Sequence, residues 1–126
     1  MLRVLCFSLM CLFGMSACNK SPTVQPAELA ASMKSGNTSV ILDVRTVEEY
    51  DAGHIPGAIL IPHDELESRI AELGNPQPVV VYCKSGRRAG LAESILLERG
   101  FSVKLLDGSW QAWQAAKLPE ESTVKR

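Results

Sequence analysis

Apolar residues fall in short blocks along this chain, separated by polar punctuation, and the blocks alternate between two periods. Val79-Val80-Val81-Tyr82 is apolar throughout and rich in β-branched residues, the pattern of a strand buried on both faces. Residues 39–42 and 102–106 are further short strand-like runs, and residues 58–61 form another that Pro62 closes. Between them lie stretches of helical spacing. Pro26 suits the first turn of a helix over 26–34 that Gly36 stops. Thr46 and Glu49 have capping-box spacing and start a brief helix, which Gly53 and Pro56-Gly57 break. A helix over 64–73 places Leu66, Ile70 and Leu73 on one side. A longer one over 87–99 turns Leu91, Ile95 and Leu96 inward and ends before Gly100. A last helix over 109–116 carries Trp110 and Trp113 three apart, the spacing of core residues. Strands alternating with helices at these intervals predict an α/β fold with a parallel sheet and helices on both faces. Ligands in such sheets bind at the carboxyl ends of the strands, where Asp43 to Arg45 and Cys83 fall.

The amino-terminal block has a different character. Arg3 precedes a nearly unbroken apolar run over residues 4–15, and the small residues Ser16 and Ala17 follow. Positive start, apolar core and small residues are the order of a secretory signal peptide, assigned here to residues 1–17. The run is shorter than the roughly 20 residues a bilayer-spanning helix needs. Met15-Ser16-Ala17-Cys18 resembles a bacterial lipobox, with Met15 where Leu is usual. Cleavage there would leave Cys18 as a lipidated first residue, holding the protein at the periplasmic face of a membrane by its acyl chains. Asn19 after Cys18 favours the outer membrane. General signal cleavage, giving a soluble exported form, stays open. Residues 18–25 then read as the lipidated cysteine and a polar tether, 26–118 as one domain, and 119–126 as a tail.

Length and charge narrow the function. A chain of 126 residues has room for one such domain. Its net charge of −1 excludes nucleic-acid binding by bulk electrostatics, so any anion recognition is local. Of the 4 cysteines, Cys6 and Cys11 leave with the signal and Cys18 is consumed by lipidation. Cys83 then stands alone in an exported protein, where cysteines normally pair. Either it is an inert core residue or its chemistry is the reason for it.

Its neighbours decide for chemistry. In Cys83-Lys84-Ser85-Gly86-Arg87-Arg88 a central strand delivers the cysteine into a tight loop, and a helix begins within a few residues. Gly86 lets the backbone curl and aim its N–H groups inward. The helix start adds its positive dipole end, and Lys84, Arg87 and Arg88 add three cations. All of these favour a thiolate on Cys83 and an anionic substrate beside it. Singly, each residue has a plain reading: solvated arginines, a turn glycine, a core cysteine. Their convergence at a strand end points to a reactive site.

At this level the chain resembles the single-domain rhodanese (thiosulfate sulfurtransferase) family. Tyr82 to Arg88 is similar to its active-site loop, of the form Cys-x-x-Gly-x-Arg. Leu42-Asp43-Val44-Arg45, followed by Glu49-Tyr50-Asp51-Ala52-Gly53-His54-Ile55-Pro56-Gly57-Ala58, resembles a second signature. Gly108-Ser109-Trp110-Gln111-Ala112-Trp113 resembles a third, Gly-Gly-x-x-Ala-Trp, with Ser109 in place of the second glycine. The resemblance covers nearly all of residues 26–118.

It implies a parallel five-stranded sheet and a persulfide mechanism. The Cys83 thiolate would take the outer sulfur of a small anionic donor such as thiosulfate, releasing sulfite. The amides of residues 84–88 would cradle the persulfide, and a thiol or cyanide acceptor would remove the sulfur. No metal or organic cofactor is required. Lys84, Ser85, Gly86, Arg87 and Arg88 would bind substrate. Asp43 and Arg45 would bind it too, or form a strand-end pair that shapes the loop. His54 and His63 read as structural, without a third ligand for a metal. A monomer is the expected state. The competing readings are a sulfane-sulfur carrier with little turnover and, further off, a cysteine phosphatase or arsenate reductase. The phosphatases place Arg six residues after Cys; here Ala89 stands there.

Overall fold

The computed structural model describes residues 20–36 and 39–124. Residues 1–17, expected to be a signal peptide, and Cys18, the expected lipidation site, lie outside the described residues. In chain order the elements are β1 (Thr23–Val24), α1 (Pro26–Lys34), β2 (Val40–Asp43), α2 (Val47–Ala52), β3 (Ile59–Leu60) and α3 (Leu66–Arg69). A 3-10 turn (Ile70–Leu73) continues α3, and β4 (Pro78–Tyr82), α4 (Arg87–Glu98), β5 (Ser102–Leu106) and α5 (Ser109–Ala115) follow. The strands form a five-stranded sheet in the order β1-β5-β4-β2-β3, and each neighbouring pair is parallel. The chain is therefore an α/β protein of the expected kind.

Strand β4 lies at the centre and shows why an unbroken apolar run was required. Val79, Val81 and Cys83 point to one face, and Val80 and Tyr82 to the other, because side chains alternate along a strand. The first face packs against Leu66 of α3 and Ala89, Ala92 and Leu96 of α4. The second packs against Leu29 of α1 and Trp110 and Trp113 of α5. Cys83 and Tyr82 thus belong to different cores, although they are adjacent in sequence.

Four expectations need correction. Residues 18–25 are not all tether: Thr23 and Val24 pair with Leu105 and Leu106, adding an edge strand to the sheet. The tail is docked, since His54 and Glu121 form an antiparallel bridge and the Ser122 hydroxyl donates to the Asp51 carbonyl. The helix expected over 64–73 tightens into a 3-10 turn at Ile70, whose spacing still keeps Ile70 and Leu73 against the core. Leu91 faces outward at 48% exposure. The inward stripe is Ala89, Ala92 and Leu96, whose small residues let α4 approach the sheet closely.

Gly108 is the sharpest local constraint. Its φ of 70° lies in the left-handed region, and an added Cβ would sit 2.5 Å from the Ala112 Cβ. Gly108→Ala is expected to destabilise the fold by about 2–3 kcal/mol, combining backbone strain with overpacking. Urea denaturation checks this, and an unchanged midpoint would contradict it.

Candidate active site

The parallel pairing of β2 with β4 sets Asp43 beside Tyr82, so the second sequence signature lies directly beside the cysteine loop. The Val44 N–H donates to the Tyr82 carbonyl at 3.1 Å and locks the two strand ends together. From the other side α5 holds the loop: the Trp110 N–H donates to the Cys83 carbonyl at 2.9 Å, and Gln111 N–H to the Lys84 carbonyl at 3.1 Å. All three signatures therefore converge on Cys83.

The Cys83 thiol group is free and 1% exposed. Its Sγ accepts a hydrogen bond from the Gly86 N–H at 2.9 Å. Gly86 has a φ of 124°, a conformation that L side chains rarely adopt, and this is what turns its amide back toward the sulfur. Helix α4 starts immediately afterwards, so its unpaired first amides and dipole also face the loop. The loop is an anion cradle built from backbone, with the sulfur at its base.

The expected substrate-binding residues separate into three groups. Ser85, Lys84 and Arg87 are exposed on the rim, and among the described residues neither cation is in an ion pair. Arg88 is engaged: it forms a two-pronged pair with Glu49 at 2.6 and 3.0 Å. Asp43 and Arg45, 0% and 2% exposed, are not in a position to bind substrate. Arg45 Nη2 donates to Asp43 at 2.7 Å and its Nε at 3.0 Å, and Nη2 also donates to the Gly53 carbonyl at 2.7 Å. The guanidinium lies 4.7 Å from the Trp110 ring centre and 5.4 Å from that of Tyr82. This is the strand-end pair of the alternative reading, and it supports the loop from beneath.

Tyr82 belongs to the same buried unit. Burial first, then the Asp43 charge, pushes its phenol above the ordinary range, so it stays neutral. Its oxygen accepts the Ile55 N–H at 3.1 Å. His54 is structural, with its ring stacked on Tyr50 at 3.6 Å and its Nδ1 2.7 Å from the Tyr50 carbonyl.

Two residues at the site were missed from sequence. Glu49 was read as part of a capping box and as the start of the second signature's longer run, without a role at the loop; it completes the box with Thr46, and the same carboxylate reaches Arg88. Ser109, noted as a departure from Gly-Gly, is buried at a φ of 53°. Its Oγ accepts the Cys83 N–H at 3.3 Å and lies 3.9 Å from Sγ. The replaced glycine was the available signal.

The Arg88 hydrogen bonds lower the Glu49 carboxyl to about 2, against the ordinary 4.5. A depressed folded-state value means stabilisation that is complete above about pH 4.5 and is lost as pH falls through 2. Glu49→Gln keeps an acceptor for the capping box and removes the charge. It is expected to cost about 1 kcal/mol at pH 7, after allowance for solvent screening of this partly exposed pair. The wild-type advantage should fade in acid denaturation series as pH drops toward 2, and an advantage constant with pH would contradict the ion-pair account.

Comparison with known proteins agrees with this geometry. Residues 25–116 match the family described as the rhodanese-like domain. An HTH-type transcriptional regulator of Mycobacterium tuberculosis is 41% identical over 95 residues, which is 74% of this chain and 42% of that protein. The proposed sulfur carrier protein YrkF of Bacillus subtilis is 36% identical over 80 residues, 64% of this chain and 43% of that one. The chain thus spans less than half the length of these curated relatives. The solution structure of the rhodanese-like domain from an Anabaena protein superposes with a TM-score of 0.74 at 29% identity, covering 82% of this chain and 80% of that domain. The chain belongs to the rhodanese-like domain family.

Proposed function

We propose that this protein transfers sulfane sulfur through a Cys83 persulfide, taking it from thiosulfate or a similar small anionic donor and passing it to a thiol or cyanide. The observation that carries this reading is the Gly86 N–H aimed at Cys83 Sγ, at the base of a loop whose rim presents Lys84 and Arg87. The cationic rim draws in the donor. The thiolate attacks its outer sulfur, sulfite leaves, and the backbone amides hold the negative charge of the persulfide. The family membership supports sulfur chemistry, as does the named sulfur carrier among the relatives.

The depth of Cys83 favours sulfur over phosphate. A slim terminal sulfur fits a thiol that is 1% exposed beneath a short loop better than a tetrahedral phosphoryl centre does. Arg88 is held by Glu49, which leaves Arg87 on the rim as the loop guanidinium outside an ion pair among the described residues. A carrier with little turnover remains the second reading, favoured by the relative named for that role. Thiosulfate:cyanide sulfur transfer by the purified protein tests the choice. Steady thiocyanate production supports an enzyme, whereas one equivalent released per loaded protein supports the carrier.

We also propose export and lipidation at Cys18, resting on the signal-like residues 1–17 and the lipobox-like Met15 to Cys18. Labelled palmitate should enter the protein in a bacterial host and fail to enter Cys18→Ala. Equal labelling of both, or of neither, would contradict the anchor.

A further inference from the structure

Helix α5 docks on the cysteine loop through backbone alone, with the Trp110 and Gln111 amides donating to the Cys83 and Lys84 carbonyls. Position 109 needs no side chain for this. Its φ of 53° lies in the left-handed region, where glycine sits with least strain. The chain carries a serine there instead, 1% exposed. Strain kept beside a reactive group points to a use for the side chain. The hydroxyl proton locates that use. Ser109 Oγ accepts the Cys83 N–H at 3.3 Å, and among the described residues its one other hydrogen-bonding neighbour is Cys83 Sγ at 3.9 Å. Buried hydroxyls are ordinarily satisfied, and a thiol is the weaker donor of the two groups. The sulfur is therefore where the Ser109 proton points.

We propose that Ser109 is a second hydrogen-bond donor to the reacting sulfur, acting from α5 as the Gly86 amide acts from the loop. The inference rests on the sulfur-transfer reading of Cys83 and adds a residue to that site. In loading, the Sγ thiolate attacks the outer sulfur of the donor; the new S–S bond forms, the donor's own S–S bond breaks, and its electron pair leaves with sulfite. In discharge, an acceptor nucleophile attacks that same sulfur, and the electron pair of its bond to Sγ returns to Cys83. Ser109 keeps its proton throughout. Its O–H stabilises charge on Sγ in the resting thiolate and as Cys83 departs, which makes Cys83 the better leaving group. While the persulfide stands, the charge lies on the outer sulfur and the loop amides hold it.

Ser109→Gly and Ser109→Ala test this as a pair. Both remove the hydroxyl, but glycine relieves the backbone strain and alanine keeps it, so the glycine variant should melt a few degrees higher. The Cys83 thiolate is followed by absorbance at 240 nm against pH, as the difference from Cys83→Ser. In both variants the titration midpoint should rise by about one pH unit, the lower end of what a bond to a charged group contributes. Discharge of the loaded protein by cyanide should slow about threefold in both, as Cys83 leaves less readily. A midpoint unmoved in Ser109→Gly would overturn the proposal. So would losses that follow the melting order, with the glycine variant close to wild type. The titration needs no sulfur transfer, so a wild-type protein that never loads, with the midpoint still raised in both variants, would overturn the transfer reading and leave the Ser109 bond standing.

Discussion

Cys83→Ser is expected to lower sulfur transfer by at least about a thousandfold, because the persulfide bond has no other atom to form on. The replacement is nearly isosteric, and the serine oxygen can still accept the Gly86 N–H, so the loop should keep its shape. Melting temperature should move by only a few degrees, about 1 kcal/mol or less. Activity and stability therefore separate cleanly in this variant. Thiocyanate formation and a thermal melt on the same preparation check both halves. Residual transfer within tenfold of wild type would place the chemistry elsewhere.

Asp43→Ala is expected to have the largest effect on stability. It leaves the Arg45 guanidinium, 2% exposed, with the Gly53 carbonyl and two aromatic rings but no counter-charge. Removing one partner of a buried pair costs about 3–5 kcal/mol, a large part of the 5–15 kcal/mol that holds a domain together. For a domain of this size the melt should fall on the order of 20 °C. Replacing both residues together, Asp43→Leu with Arg45→Met, should recover much of the loss, since no charge is then stranded. Equal destabilisation in the single and double variants would show that shape, rather than charge, dominates here. Activity should fall in parallel, because the pair underlies the Tyr82 and Trp110 side chains next to the loop.

The parts of this fold legible in the sequence are those where one residue's environment is set by its near neighbours. Four apolar residues at 79–82 required burial on both faces, and β4 is the sheet's centre. Pro26, the Thr46–Glu49 box and Gly100 marked helix ends by local backbone chemistry. What stayed hidden depends on distant partners. Thr23 and Val24 become a strand only because β5, about 80 residues on, offers them an edge. Leu91 followed the helical pattern, yet which stripe of α4 turns inward is set by how closely the helix meets the sheet. The candidate site divides in the same way. Cys83, Gly86 and the loop cations are contiguous, so their convergence was readable. The Glu49–Arg88 pair and the Ser109 contact link residues 39 and 26 positions apart, and only the packed strands bring them together.

The most direct test of the account is the intact mass of the purified, fully reduced protein after exposure to thiosulfate without an acceptor. A gain of one sulfur atom is predicted, mapped to Cys83 by peptide mass, removed by cyanide and absent from Cys83→Ser. An unchanged mass, or a sulfur that persists in Cys83→Ser, would contradict a persulfide on Cys83.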